Sequence, residues 1–417
     1  MKFIITLSWK NLTRYTRRTI ITALSISIGI MMFILVDSLL TGAEKDSERN
    51  LIAYETASAQ IVTRKYWDDR ENLSLKDSIQ KPDEVISFLE KRGIPATPRI
   101  SFPGEIIVYK NPYPEDGNLQ VKIDAIDPER DPKVFKLKDR ITEGRWLKPE
   151  EHGLLMGKWM AEDIGAKVGY PITIFTKTRD GAYQTLDLTI TGLINSENPI
   201  VNRYGLYIPI DIADEMLYMN GSASAIFLLF KSTKNFDSRL LTLSKEISSK
   251  FPDLTVVSWK ELAEDYVALA ETKRGGSSII LLFLFVIAAV GISNTMLMAI
   301  YERTREIGMM RAMGMKERSI GLLFIFESAI IGAVGSLVGI ILSIPFVYLL
   351  VNHGINYGWL TRDFDIGYRI TSIFYGAWNP TTFFKAFFMG TIIAVIVALF
   401  PVRRAFKKSI VDCLCFR

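Results

Sequence analysis

The densest group of side chains that could bind another molecule lies in one charged segment, residues 301–318. It reads Tyr-Glu-Arg-Thr-Arg-Glu-Ile-Gly-Met-Met-Arg-Ala-Met-Gly-Met-Lys-Glu-Arg. On a helix, Glu302 and Glu306 share one face, and Ile307 lies among apolar residues that alternate with the charges. Gly308 and Gly314 allow a turn or close approach. The pattern fits an amphipathic helix along a membrane and a solvated connector rich in salt bridges equally well.

Residue types that support catalysis or metal binding are sparse elsewhere. The histidines are His152 and His353, and the cysteines are Cys413 and Cys415. This predicts neither a zinc site nor a disulfide framework. Residues 153–158 superficially match a phosphate-binding loop, but three residues separate the glycines where four are needed, and a tryptophan replaces the magnesium-binding Ser or Thr. We therefore expect no active site, metal site or bound cofactor in this chain.

The composition indicates a protein that is partly in lipid and partly in water. Hydrophobic residues make up 49% and charged residues 23% of the sequence, and the net charge is +5. The mean hydropathy is +0.19, whereas the charged fraction is that of an ordinary globular protein. Membrane helices combined with one sizeable water-soluble domain account for both values.

Four apolar segments are long enough to cross a bilayer, because about 20 helical residues span about 30 Å. We place them at residues 19–41, 277–300, 320–351 and 383–400. The third is too long for one upright crossing, and Pro345 within it predicts a kink or a protruding outer end. The predicted fold class is a membrane protein with four transmembrane α-helices and a large α/β extracytoplasmic (periplasmic) domain between the first and second helices.

The distribution of basic residues orients these helices. Residues 1–18, 301–319 and 401–417 together carry fifteen basic and four acidic residues, whereas residues 42–276 carry thirty-two and thirty-seven. The positive-inside rule places both termini and the 301–319 loop in the cytoplasm. Residues 42–276 and the 352–382 loop then lie outside. Basic residues of the outside domain are balanced by acids, so nucleic acid is not an expected partner.

The outside domain shows mixed strand and helix patterns. Alternating or short apolar runs predict strands at residues 119–126, 171–175, 186–190, 206–210 and 225–230. Helices are predicted at residues 82–92, 211–220 and 236–251.

The edges of this domain predict a stalk. No Gly or Pro interrupts residues 43–58 or 260–273. Both neighbouring membrane helices could therefore continue outward, and a helix over residues 19–56 would be about 57 Å long. The alternative, a flexible linker, would be richer in Gly, Ser or Pro.

The charged segment resembles the coupling helix of FtsX-like ABC transporter permeases, whose pattern is close to E-R-x-x-E-I-G-x-x-R-A-x-G. The matching residues are Glu302, Arg303, Glu306, Ile307, Gly308, Arg311, Ala312 and Gly314. Other parts resemble the family in order, at residues 9–19, 143–146, 157–169, 191–192, 207–210, 327–339 and 400–405. The tail, residues 409–416, departs from the family pattern. The resemblance covers nearly the whole chain and is strongest to the LolC/LolE type of the lipoprotein-releasing system.

This resemblance implies a non-catalytic permease subunit in the bacterial inner membrane. A separate cytoplasmic ATPase of the LolD type would bind ATP and magnesium. It would dock on the coupling helix, at Glu302, Arg303, Arg305, Glu306, Ile307, Gly308, Arg311 and Gly314. The other implied partners are a second permease subunit, identical or paralogous, membrane lipids, lipoprotein cargo and a periplasmic carrier of the LolA type. The implied function is extraction of lipoproteins toward that carrier by mechanotransmission.

Two other functions stay open. A MacB-type exporter would expel peptides or drugs through an outer-membrane duct, and its best-known members carry a fused ATPase. A regulator like FtsX would activate cell-wall hydrolases without moving cargo, although the 42–276 domain is larger than that role usually involves.

Several residues within the predicted spans have an expected role. Gly332, Gly335 and Gly339 predict close packing of the third helix. Glu327 lies inside that helix and is expected to be paired or to face protein. Side chains that could line a path for lipid or cargo, although ordinary lipid or helix contact explains them as easily, are Met31, Met32, Phe33, Phe283 and Phe285.

Overall fold

The computed structural model describes most of the chain. The described residues are 16–230, 235–268, 301–356 and 373–406, with the single residues 8, 14, 270, 272, 279, 283, 286, 289, 290, 293, 294, 297, 298, 411 and 413. The chain divides into two compact units. The first comprises Met1–Asp46, Leu269–Ile366 and Thr371–Arg417, and the second comprises Ser47–Ala268 and Gly367–Ile370. The finer domain boundaries drawn from the sequence stay a prediction.

The helices, numbered in chain order, cover both units. Helices α1 to α11 are Thr16–Leu51, Arg64–Asp68, Pro82–Glu90, Lys158–Ile164, Pro199–Tyr204, Ile210–Leu217, Phe236–Lys250, Trp259–Leu262, Thr304–Ala312, Glu317–His353 and Pro380–Phe406. Among the described residues, three helical segments are long and apolar enough to cross a membrane: Thr19–Thr56, Glu317–His353 and Pro380–Arg403. In the predicted second span, 277–300, only nine residues are described, so the count of four rests on the sequence. Pro345 lies within a continuous α10.

The second unit is built on one mixed sheet. Strands β1 to β10 are Ala59–Thr63, Ala96–Val108, Gly117–Ile126, Ile141–Gly144, Gly153–Gly157, Pro171–Lys177, Tyr183–Ile194, Leu206–Pro209, Ala225–Leu228 and Leu254–Ser258. Their order is β10-β1-β9-β2-β3-β8-β5-β7-β4, and β6 pairs with β2 and β7. Only the β3–β8 and β5–β7 pairs among these are parallel. In the first unit, short strands β11, Ile355–Asn356, and β12, Ile373–Phe374, also pair.

The strands and helices predicted in the outside domain are confirmed, because each has a clear apolar period. Several boundaries differ. The strands predicted to end at residues 210 and 230 end at Pro209 and Leu228, and the helices predicted to end at 92 and 251 end at Glu90 and Lys250. The helix predicted over residues 211–220 is α6, which ends at Leu217 because Tyr218 adopts a left-handed φ of 57°. The glycine-rich run 153–158 forms the buried strand β5 and the start of α4. Gly157 is needed for packing there, since a Cβ would lie 2.3 Å from the Asn202 carbonyl oxygen.

The core of the second unit encloses one ion pair. Arg99 Nε lies 2.8 Å from Asp131 Oδ1, and Nη2 lies 3.1 Å from Oδ2. The guanidinium carbon lies 3.6 Å from the centre of the Phe135 ring. Burial lowers the pKa of Arg99, but the Asp131 carboxylate outweighs it, so that pKa lies above its ordinary value. Burial also raises the pKa of Asp131, although Arg99 acts to lower it.

The first half of the predicted stalk is confirmed as helical. Helix α1 runs without a break to Leu51 and continues as a π-helical turn, Ile52–Thr56. On the return side, α8 and residues 264–268 are helical. Most of residues 269–273 lie outside the described residues.

Candidate coupling site

Helix α9 is the core of the predicted coupling segment. It begins after Arg303 and ends at Ala312. The chain reverses at Gly314, whose φ is +87°, a conformation that glycine adopts without steric cost. The Met315 amide donates to the Met310 carbonyl oxygen at 3.0 Å and the Gly314 amide to that of Arg311 at 3.0 Å, which closes the helix end. Helix α10 then starts at Glu317, so α9 and α10 form a helical hairpin.

One face of α9 packs on the start of α10 and the end of α11. Ile307 is buried in a cluster with Ile320 and Phe324 of α10 and with Val402 of α11. Gly308 is also buried. This face therefore anchors α9 within the first unit by apolar contact.

Arg303 connects α9 to α10 by charge. Its Nη1 lies 3.1 Å from Glu327 Oε2, and its Nε lies 2.8 Å from Glu306 Oε2. Only 3% of Arg303 and 1% of Glu327 is exposed. Glu306 Oε1 also lies 3.8 Å from Nη1 of Arg14 in the N-terminal region. A buried pair of this kind holds its partners in place, because separating them leaves a charge without solvent or counter-charge.

The opposite face of α9 is open. Arg305, Met309, Ala312 and Met313 are exposed, at the spacing of one helical face, and Met313 is 79% exposed. The sequence pattern grouped Met313 with Ile307 as apolar residues of the amphipathic segment and did not single out Met309. The available signal was the spacing of four residues from Arg305 to Met309 and from Met309 to Met313.

The structure separates the predicted coupling residues into groups. Glu302, Arg305 and Gly314 are exposed, while Arg303, Ile307 and Gly308 face the first unit's interior. Glu306 and Arg311 are half-buried, and Arg311 Nη2 lies 2.7 Å from Glu317 Oε1.

Glycines on α10 lie where other helices come close. A Cβ on Gly335 would lie 2.9 Å from the Ala23 carbonyl oxygen, and one on Gly339 would lie 2.6 Å from that of Ser27. Both contacts are with α1, whereas Gly332 faces α11, where a Cβ would lie 2.7 Å from Ala394 Cβ. The Ser27 hydroxyl donates to the Gly335 carbonyl oxygen at 2.8 Å.

The residues predicted as a lipid or cargo lining do not share one environment. Met32 and Phe283 are exposed, Met31 is half-buried, and Phe33 is buried among the helices of the first unit. Phe285 lies outside the described residues. Asp37, near the end of the predicted first span, accepts hydrogen bonds from Asn379 at 3.2 Å and Thr382 at 2.5 Å.

Comparison with known proteins identifies the family. The MacB-like periplasmic core domain matches residues 19–238, and the FtsX-like permease C-terminal domain matches residues 278–410. The chain belongs to the type VII ABC transporter permeases. In this family the outside domain described above is a MacB-like periplasmic core, flanked by apolar N-terminal and C-terminal helices.

Three relatives show how broad the similarity is. An uncharacterized ABC transporter permease of Methanocaldococcus jannaschii is 23% identical over 89% of this chain and 92% of its own length. The lipoprotein-releasing system transmembrane protein LolC of Neisseria meningitidis is 24% identical over 53% of this chain and 54% of its own. The macrolide export ATP-binding/permease protein MacB of Pasteurella multocida is 23% identical over 93% of this chain and 56% of its own.

Proposed function

We propose that this permease is the membrane subunit of a transporter in which a separate cytoplasmic ATPase drives the outside domain by mechanotransmission. The observation that supports this most directly is the two-sided nature of α9. Its exposed face, with Arg305, Met309 and Met313, offers a docking surface, while its other face is tied to α10 through the Arg303–Glu327 pair. Flexible, polarisable methionines suit a surface that must stay in contact with a moving partner.

The contacts within the first unit give a path for the displacement. A push on the exposed face of α9 acts on α10 through Arg303 and Ile307. Because α10 packs on α1 at Gly335 and Gly339 with almost no clearance, a shift of α10 displaces α1. Helix α1 continues past Asp46 into the second unit. The chain itself needs no nucleotide for this: ATP and magnesium belong to the partner ATPase.

The proposed setting is the bacterial inner membrane, with both termini and α9 in the cytoplasm and residues 42–276 in the periplasm. The excess of basic residues near the predicted inner ends supports this orientation. The proposed complex holds a LolD-like ATPase and a second permease subunit, identical or paralogous, in contact with membrane lipids.

We propose lipoproteins as the cargo, passed from the membrane to a LolA-like periplasmic carrier. The similarity to LolC of N. meningitidis supports this choice. MacB-type efflux is the second candidate, favoured by the match to P. multocida MacB over 93% of this chain. An FtsX-like regulator of cell-wall hydrolases is the third, supported by the C-terminal family match.

Copurification from native membranes distinguishes these functions. The tagged permease is extracted gently, and its partners are identified by mass spectrometry. We expect a stoichiometric ATPase, a permease partner and triacylated lipoproteins. An adaptor and an outer-membrane channel would replace lipoprotein release with efflux, and a wall hydrolase would indicate the regulator. Absence of any ATPase, under conditions that preserve a known transporter from the same cells, would contradict the coupling role itself.

A pair of variants tests the docking face. Met313→Glu places a charge at the exposed apolar residue that follows α9, so we expect the ATPase to be lost from the purified complex. Arg318→Gln, on the exposed first turn of α10, is the matched control and should retain it. Equal ATPase recovery in both variants would place the docking surface elsewhere.

A further inference from the structure

The segment that joins α1 to the sheet is held more tightly than a linker requires. The π-helical turn Ile52–Thr56 contains no Gly or Pro, and Tyr54 is only 2% exposed. Tyr54 belongs to the apolar cluster that also contains Phe135, Ile194 and Tyr207. An end of α1 that is packed in this way cannot rotate without displacing its neighbours.

Three polar groups close a triangle at this turn. The Tyr54 hydroxyl donates to Glu197 Oε2 at 2.6 Å and accepts from Arg140 Nε at 2.9 Å. Arg140 Nη2 lies 2.5 Å from Glu197 Oε1. Burial and the contact with Glu197 raise the pKa of Tyr54 above its ordinary value, so the phenol keeps the proton that it donates.

Two further contacts hold the same turn. The Asn198 side-chain amide donates to Glu55 Oε1, and its Oδ1 accepts from the Ile200 amide at 2.8 Å, which caps α5. The Lys136 amide donates to the Ala53 carbonyl oxygen at 3.0 Å. Consecutive residues of the turn are therefore bound to two segments of the second unit, the one between β3 and β4 and the one that follows β7.

These contacts link the turn to both ends of the sheet. The turn leads within three residues into β1, which lies beside the terminal strand β10. Arg140 immediately precedes β4, and Glu197 follows β7 by three residues. Strands β4 and β7 pair at the opposite end of the strand order. The turn is thus connected to one end of the sheet through the chain itself, and to the other end through its hydrogen bonds and ion pair.

We propose that the Tyr54–Arg140–Glu197 triangle is a transmission joint, which converts displacement of α1 into movement of the whole outside domain. The proposal rests on the function proposed above. Without the triangle, α1 acts on β1 and on the remaining contacts of Ala53 and Glu55, so the β4–β7 end follows more weakly. These three residues are positioning residues: they carry displacement and touch neither nucleotide nor cargo.

The test measures displacement directly in the full complex with its ATPase. Spin labels are placed at Asp180, in the exposed β6–β7 turn, and at Asn352, at the exposed end of α10, on a Cys413→Ser, Cys415→Ser background. The distance distribution is recorded without nucleotide and with ATP and vanadate. The joint variants are Tyr54→Phe, which removes only the hydroxyl, and Glu197→Gln. Glu151→Gln, which alters the Arg145–Glu151 pair of the same domain, is the matched control.

We expect the nucleotide-dependent distance change to be reduced by more than half in both joint variants and preserved in Glu151→Gln. ATP hydrolysis should persist in all of them. Exchanging the charges, Arg140→Glu with Glu197→Arg, should restore part of the change. Wild-type movement in Tyr54→Phe and Glu197→Gln would overturn the joint. If the wild-type protein also shows no nucleotide-dependent distance change, the proposed mechanotransmission function is wrong. That result differs from the one that would overturn the joint alone. Hydrogen exchange of β4 and β7 shows whether a variant has simply unfolded.

Discussion

Arg303 and Glu327 form an ion pair 24 residues apart in the sequence, with 3.1 Å between Nη1 and Oε2. The pair joins the start of α9 to the interior of α10, and both side chains are almost completely buried. The pair holds the side chain of Glu327, a charged residue within a predicted span, in one position inside the first unit. The same contact explains why α9 cannot move independently of α10.

Breaking this pair should destabilise the helical unit. Glu327→Gln leaves the buried Arg303 charge without the Glu327 carboxylate, and a broken buried pair costs about 3–5 kcal/mol. We expect a clearly lower melting temperature of the detergent-solubilised protein. The double variant Arg303→Met/Glu327→Leu removes both charges and should recover most of the loss. No difference between wild type and Glu327→Gln would show that the pair does not hold the hairpin.

Gly339 should tolerate no side chain, although alanine favours helices. Helix propensity alone would make Gly339→Ala stabilising by up to about 1 kcal/mol. The added Cβ would meet the Ser27 carbonyl oxygen at 2.6 Å, and overpacking costs about 1–3 kcal/mol. We expect a net fall in the thermal unfolding temperature. Val334→Ile, which enlarges an exposed side chain of the same helix, should leave it unchanged. A stabilised Gly339→Ala would mean that α1 and α10 are farther apart.

The buried Arg99–Asp131 pair should control the stability of the outside domain. Arg99→Met leaves the Asp131 carboxylate buried without a counter-charge, with an expected loss of about 3–5 kcal/mol. Arg99→Lys keeps the charge but loses the paired contacts and the stacking on Phe135, so an intermediate loss is expected. Hydrogen exchange of β2 in the full-length protein measures both. Equal protection in Arg99→Met and wild type would contradict this role.

Asp124 should make the outside domain sensitive to acid. Burial raises its pKa, but the combined lowering by Lys122, Arg99 and the Ser101 hydroxyl is larger. The pKa of Asp124 therefore lies below its ordinary value. A carboxylate with a lowered folded-state pKa contributes stability that is present above its unfolded pKa, about 4. That stability is lost as the pH falls through the folded value. We expect hydrogen-exchange protection of β3 to fall with decreasing pH in wild type and to fall less steeply in Asp124→Asn. Parallel pH profiles would refute the assignment.

Local pattern predicted much of the secondary structure. The alternation in residues 119–126 and 186–190 appears as β3 and β7, because a half-buried strand needs a period of two. The apolar lengths likewise predicted the long helices α1, α10 and α11.

Contacts between distant residues were beyond sequence reasoning. Glu327 was expected to be paired or to face protein. The neighbouring sequence does not identify Arg303 as its partner, because that pairing depends on how the hairpin folds back. The coupling motif also does not separate Arg305, which is exposed, from Ile307, which is buried. The triangle of Tyr54, Arg140 and Glu197 brings together residues from three segments that are far apart in the sequence, and it leaves no periodic signal.

The antiparallel pairing of β1 with β10 has an architectural consequence. Ala59 lies opposite Ser258, and the Trp259 amide donates to the Ser58 carbonyl oxygen at 3.2 Å. The chain therefore enters and leaves the sheet at neighbouring points, the arrangement that allows one domain to be inserted into another. Exchange of residues 58–259 for the corresponding piece of a relative requires only two adjacent junctions. Recombination could thus equip one set of membrane helices with periplasmic domains of differing specificity.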